Sequence, residues 1–136
     1  VNEADAAILI ANNIRKAEDA LLQAEALIGI NQYFGVVNRG YYAMFYAASA
    51  ILLTKGMGSS KHSGVLSMLD KEFVNKGLIP SHWSRMLRNA FNLRSWGDYD
   101  TQGDVSAAQA RKILEDGNNF VSWVKQWLGE ASQPSP

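Results

Sequence analysis

The run from Gly40 to Thr54 carries no charged residue, and its centre, Tyr41-Tyr42-Ala43-Met44-Phe45-Tyr46-Ala47-Ala48, has no polar face. The run is too short to cross a bilayer as a helix, which takes about 20 apolar residues. It is therefore expected to be a helix, from about Gln32 to Lys55, covered by protein on most sides. A four-helix bundle covers only part of a helix's circumference, so complete cover would predict an oligomer as well.

The rest of the chain supplies the partners for that helix. Ala7, Ile10, Ala11, Ile14, Ala17, Leu21, Ala24 and Ile28 recur at three- and four-residue steps, which predicts a helix from Ala4 to about Ile28 stopped by Gly29. Gly56-Met57-Gly58-Ser59-Ser60 breaks the pattern, with Ser60 as the expected cap of the next helix. That helix carries Val65, Leu66, Leu69, Phe73 and Val74 on one side and should end near Gly77. Pro80-Ser81 opens another, with Trp83, Met86, Leu87, Ala90 and Leu93 inward, and Gly97 to Gly103 is expected to be a loop. Ser106 and Gln109 form a capping-box pattern for a last helix, packed through Ala110, Ile113, Leu114, Phe120, Val121, Val124 and Leu128. The expected fold is all-α, with residues 1–130 as a single domain and 131–136 as a disordered tail.

Composition narrows the function classes. There is no cysteine, which excludes a disulfide framework and thiolate chemistry. The two histidines, His62 and His82, sit at no metal-ligand spacing, so no metal and no cofactor is expected. Val1 to Ala11 has acids and no basic leader, so a cytoplasmic, membrane-free protein is expected. The formal net charge of zero conceals a pattern: Arg39, Lys55, Lys61, Lys71, Lys76, Arg85, Arg88 and Arg94 face only Asp70 and Glu72 in the middle of the chain, while both ends are acidic. A basic middle could give a positive face for an anion or nucleic acid, or could be absorbed by charge pairing between helices.

Three groups of residues draw attention. Gly56-Met57-Gly58-Ser59-Ser60-Lys61-His62-Ser63 resembles a phosphate loop only superficially, because it lacks the glycine before the lysine and follows a helix. Ser60, Lys61 and His62 are nevertheless expected at a helix amino terminus, where free N–H groups favour an anion, or where an ordinary capped turn sits. Arg39, Tyr42 and Tyr46 share one face of the second helix. Arg94 follows Leu87 and Phe91 on an apolar stripe, and Asp98, four residues on, is its expected partner, either in a site or as a structural ion pair.

Taken in order, Asn38-Arg39-Gly40-Tyr41-Tyr42-Ala43-Met44-Phe45-Tyr46-Ala47-Ala48, then Lys61-His62-Ser63-Gly64-Val65, then Leu93-Arg94 to Asp98-Tyr99, closely resemble a bacterial and archaeal branch of the HEPN family, from about Ala6 to Leu128. The resemblance implies an up-and-down four-helix bundle, here with an additional short helix, that often forms homodimers. It also implies nucleotide or RNA binding, pairing with a minimal nucleotidyltransferase, and toxin–antitoxin roles. Many family members are metal-independent endoribonucleases using an Arg, a short spacer, then His, often followed by Tyr. In this chain Asp98 stands where that His is expected, and the spacing is short. An aspartate with an ordinary pKa of about 4 is ionised at neutral pH and is a poor general acid. Arg94 and Tyr99 carry over as site residues and the catalytic histidine does not.

Three functional readings follow. The first is a non-catalytic module binding nucleotide, RNA or a nucleotidyltransferase partner through Arg39, Tyr42, Lys61, His62, Arg94, Asp98 and Tyr99. The second is a metal-independent ribonuclease toxin in which His62 replaces the missing histidine and Arg39 or Arg94 stabilises phosphorane charge. The third is a structural or interaction bundle. Distances among Arg39, His62, Arg94 and Asp98 separate the second from the others.

Overall fold

The computed structural model of the chain describes residues 2–99 and 105–131, apart from the side chains of 96–99 and 131. Its helices are α1 (Glu3–Gly29), α2 (Tyr33–Leu53), α3 (His62–Leu69), α4 (Ser81–Tyr99) and α5 (Ala107–Ala131), with a π-helical turn, Asp70–Val74, continuing α3. The four long helices form an up-and-down bundle, and α3 is the additional short one. Helix α2 is the centre, packing against α1, α3, α4 and α5.

Local chemistry sets most of the boundaries. Asn2 caps α1, its Oδ1 accepting the Asp5 N–H at 2.8 Å. Gly29 is the last residue of α1, but the left-handed residue that turns the chain is Asn31, at φ 60°. Asparagine tolerates that conformation better than most side chains. The predicted capping box forms at α5, where the Gln109 N–H donates to Ser106 Oγ at 3.1 Å and the Ser106 N–H to Gln109 Oε1 at 2.9 Å.

Several expectations need correction. The N-cap of α3 is Lys61, and it is Ser59 Oγ, not Ser60, that accepts the Lys61 N–H at 3.1 Å. Gly97 to Tyr99, predicted as the start of a loop, are helical and end α4, and Ala131, predicted as the first residue of the tail, is the last of α5. The rest of the predicted loop, residues 100–103, and of the tail, residues 132–136, lie outside the described residues. Ala7 and Ala11, expected inward, are exposed. Both line an open groove with Leu53 and Thr54 at the end of α2 and Leu128 of α5 rather than the packed core.

Small residues recur in the interior where α1 packs on α2: Ala17, Ala20 and Ala24 of α1 and Ala43, Ala47 and Ala48 of α2 are all buried. Where α2 crosses α5, a Cβ on Gly40 would lie 2.7 Å from Ile113 Cγ2, and one on Gly117 would lie 3.5 Å from the Gly40 carbonyl oxygen. The clash at Gly40 is with the Ile113 side chain, and the backbone atoms on either side lie at ordinary contact distance. Complete cover of α2 is not achieved. Tyr41, Met44, Ile51 and Leu52 are buried, whereas Tyr42, Phe45, Tyr46, Ser49 and Leu53 form a half-covered strip on one face. No helix among the described residues is long and apolar enough to cross a membrane.

Candidate functional site

The half-covered strip of α2 is where the basic and aromatic residues converge. Arg39, Tyr42 and Tyr46 sit on it at successive turns, as the spacing predicts. The Arg39 guanidinium lies 5.0 Å from the Tyr42 ring centroid and is tethered by hydrogen bonds to Asn38 Oδ1 and, from α1, Gln23 Oε1 at 3.2 Å. From α4, the Arg94 guanidinium lies 5.1 Å from the same ring and 5.8 Å from that of Tyr41. Two cations thus share one tyrosine, each contact contributing about 0.5–2 kcal/mol depending on exposure. Lys16 of α1 extends the pattern, its ammonium 5.8 Å from the Tyr46 ring, which is itself 5.9 Å from Tyr42.

The first residue of α3 closes the cluster. His62 is half-buried among aromatic rings, with centroids 4.8 Å from Phe45, 5.4 Å from Tyr41, 5.6 Å from Phe91 and 5.8 Å from Tyr42. Its Nδ1 lies 2.5 Å from the Tyr41 hydroxyl oxygen. The entry into α3 depends on Gly64, since a Cβ there would meet Ser59 Oγ, the atom that holds the Lys61 N–H.

Electrostatics fix the protonation states. Burial lowers the His62 pKa from its ordinary value, and the Arg94 cation lowers it further. The imidazole is therefore neutral at pH 7. Burial, with Tyr42 adding to it, raises the Tyr41 hydroxyl well above the usual tyrosine range against a smaller opposite pull from Arg94. That hydroxyl keeps its proton and can donate to Nδ1 or accept from it, so the direction of this bond and the imidazole tautomer are coupled.

The structure therefore brings Arg39, Tyr42, His62 and Arg94 together around two tyrosine rings. Lys61 is exposed at the N-cap of α3, next to His62 in the chain. The side chains of Asp98 and Tyr99, and with them the expected Arg94–Asp98 pair, lie outside the described residues. Sequence reading did not include Tyr41, Phe91 or Lys16. Tyr41 reads as core, which it is, and no local signal reports its hydroxyl reaching His62, 21 positions away. The basic middle is partly absorbed by pairing, with Arg88 on Asp70 and Lys76 on Glu72, each at 2.8 Å. Among the described residues no three His, Asp or Glu side chains gather where they could hold a metal ion.

Residues 11–127 match the family model described as the HEPN domain. The chain is 36% identical over 115 residues to a Methanocaldococcus jannaschii protein named "Putative toxin MJ0142", covering 85% of this chain and 78% of that one. It is 37% identical over 117 residues to another from the same organism, "Putative toxin MJ0605", covering 86% and 87%. A Thermotoga maritima protein named "UPF0332 protein" is 41% identical over 114 residues, covering 84% and 86%.

Proposed function

This chain belongs to the HEPN domain family, and from that premise we propose that it is a module binding RNA or a nucleotide through its phosphates, within a two-component toxin–antitoxin or nucleotidyltransferase-associated system. The observation that carries the binding reading is the convergence of Arg39 and Arg94 on the Tyr42 ring beside His62. Guanidinium groups recognise phosphate oxygens through paired N–H donors, and half-exposed tyrosines offer faces on which bases stack. The toxin-named relatives support the two-component setting. Homodimerisation is supported by the half-covered strip through Phe45, Tyr46, Ser49 and Leu53, and sedimentation at micromolar concentration should give about twice the 15.0 kDa chain mass.

Fluorescence anisotropy with a labelled single-stranded RNA tests the binding. Affinity should fall as salt rises, because phosphate contacts release counterions. Arg39→Ala and Lys61→Ala should each weaken binding and reduce the salt slope by about 1, while Lys125→Ala, on α5 where the lysine pairs with Glu18 of α1, should do neither. No binding even at low salt would refute the reading and leave a scaffold role.

A second reading is favoured by the position of His62. A neutral imidazole beside Arg94 could take the proton of a ribose 2′-hydroxyl while the guanidinium offsets charge on the phosphorane. This requires the tautomer in which Nδ1–H donates to the Tyr41 oxygen and leaves Nε2 free. Because the equivalent of the family histidine is Asp98, we expect little or no metal-independent cleavage. Robust cleavage that survives a chelator and disappears in His62→Ala would establish the ribonuclease reading instead.

A further inference from the structure

A second polar site lies behind α3, away from the aromatic cluster. There the helix widens into the π turn, closed by a hydrogen bond from the Asn75 N–H to the Asp70 carbonyl, five residues back, at 2.8 Å. π turns are rare and recur at functional positions. Asp70 reaches α4, where one carboxylate oxygen accepts from the Ser84 hydroxyl and the other from Arg88 at 2.8 Å. Both oxygens are thus occupied, and the carboxylate holds Arg88 at the rim of a cavity of about 470 Å³. Ser63 and Ser67, one helical turn apart, line it with Asp70, Lys71, Asn75 and Arg88.

We propose that this cavity binds a phosphate group. Its lining offers two hydroxyls, an amide and two cations, and its single carboxylate is already bound to one of those cations. A guanidinium carries five N–H donors, so Arg88 retains donors beyond the one given to Asp70. So many donors at net positive charge suit a compact oxyanion with several acceptor oxygens. A metal ion would meet one carboxylate and two cations, and an apolar ligand would find only Leu66. The volume lies within the range of about 300–1,000 Å³ typical of ligand pockets. Two sources can supply the phosphate: a free nucleotide, or the backbone of an RNA whose other nucleotides lie on the Arg39–Tyr42–Arg94 surface. Ser63 follows His62 in α3, so the cavity and that surface lie on different faces of the same helix.

Two-dimensional NMR titration of the full chain tests the site, using inorganic phosphate, adenosine monophosphate, and uridine oligonucleotides of two and eight residues. Phosphate should shift the amide resonances of Ser63, Ser67 and Lys71 and the Nε resonance of Arg88. Ser67→Ala and Lys71→Ala, both at exposed positions, should weaken that response several-fold with an unchanged circular dichroism spectrum. If the source is a free nucleotide, the monophosphate binds as tightly as the longer oligonucleotide and Lys71→Ala weakens both alike. If the source is the RNA backbone, Lys71→Ala weakens the longer oligonucleotide several-fold and leaves the dinucleotide unchanged. Absence of shifts at these residues with every probe, or shifts that neither substitution reduces, would overturn the proposal. Shifts here without any at Arg39 or Arg94 would uphold this site while removing the function proposed above.

Discussion

The α1–α2–α5 side places glycines and alanines among larger residues such as Leu21 and Ile113, whereas the seam of α2, α3 and α4 gathers tyrosine, histidine, phenylalanine and arginine beside its apolar core. On the first side, Ala17, Ala20, Ala24, Gly40 and Gly117 are small residues, and Gly40 and Gly117 sit where α2 and α5 approach each other. On the second, Tyr41, His62 and Arg94 contact one another through rings and a guanidinium, while Asp70 and Ser84 link the π turn to α4. The difference separates two tasks. Close-packed backbone tolerates little change in volume, so it fixes the fold. Large polar side chains in a partly open seam keep donors, cations and ring faces available for chemistry.

The sharpest way to break this contrast is to add one methyl group to the tight side. Gly40→Ala places a Cβ 2.7 Å from Ile113 Cγ2, a methyl branching directly from its own Cβ, so either Ile113 leaves its rotamer or α2 and α5 separate. The expected loss is about 1–3 kcal/mol in a denaturant titration. Gly117→Ala should cost less, because its nearest neighbour, at 3.1 Å, is Leu21 Cδ2 at the end of a more flexible side chain. Equal losses, or none, would show that the crossing is looser than described.

The open side should respond differently. Tyr41→Phe keeps the buried ring and removes only the hydroxyl bound to His62, at an expected cost of about 0.5–1.5 kcal/mol. The same change should alter the His62 tautomer balance, visible in imidazole ¹⁵N shifts. Unchanged shifts would mean that the hydroxyl does not position the ring.

A smaller effect appears with pH. In the folded chain His62 titrates below its ordinary value of about 6.5. As pH falls, the unfolded chain therefore takes up the proton first. Stability contributed by neutral His62 is fully present above about pH 6.5, is lost as pH drops through that value, and stops falling below the folded-state pKa. Thermal melts between pH 7.5 and 5.5 should show the decline, and His62→Gln should flatten it. A slope that persists in His62→Gln would assign the effect to other groups. The smallest change belongs to the tight side's outer surface. Lys125→Ala breaks an exposed 3.0 Å pair with Glu18 and should alter stability by less than about 1 kcal/mol.

The two sides also differed in how far the sequence revealed them. Helix periodicity in α1, the α4 stripe through Trp83, Leu87 and Ala90, and the Ser106–Gln109 box are local patterns, and each is realised. Arg39 and Tyr42 share a face because three residues separate them, which spacing alone determines. The meeting of Tyr42 with Arg94 and of Tyr41 with His62 depends on how four helices are arranged, and no spacing reports it. The π turn escaped for a related reason. Phe73 keeps the apolar stripe going through it, so the pattern looked like an uninterrupted helix to Gly77. The exposed start of α1 escaped because alanines at the right period look the same whether or not a partner lies opposite them.

The Gly40–Gly117 crossing acts as an alignment pin for the chemistry on the other side of α2. Arg39, Tyr41 and Tyr42 flank Gly40 in the chain, so whatever sets the screw angle of the helix at that glycine also aims their side chains. At the outer radius of an α-helix, roughly 5–6 Å, a rotation of about 20° carries a side chain sideways by about 2 Å. Binding geometries tolerate errors of about 0.5 Å. A crossing with no polar side chain of its own can therefore detune the cluster of cations and rings without unfolding anything.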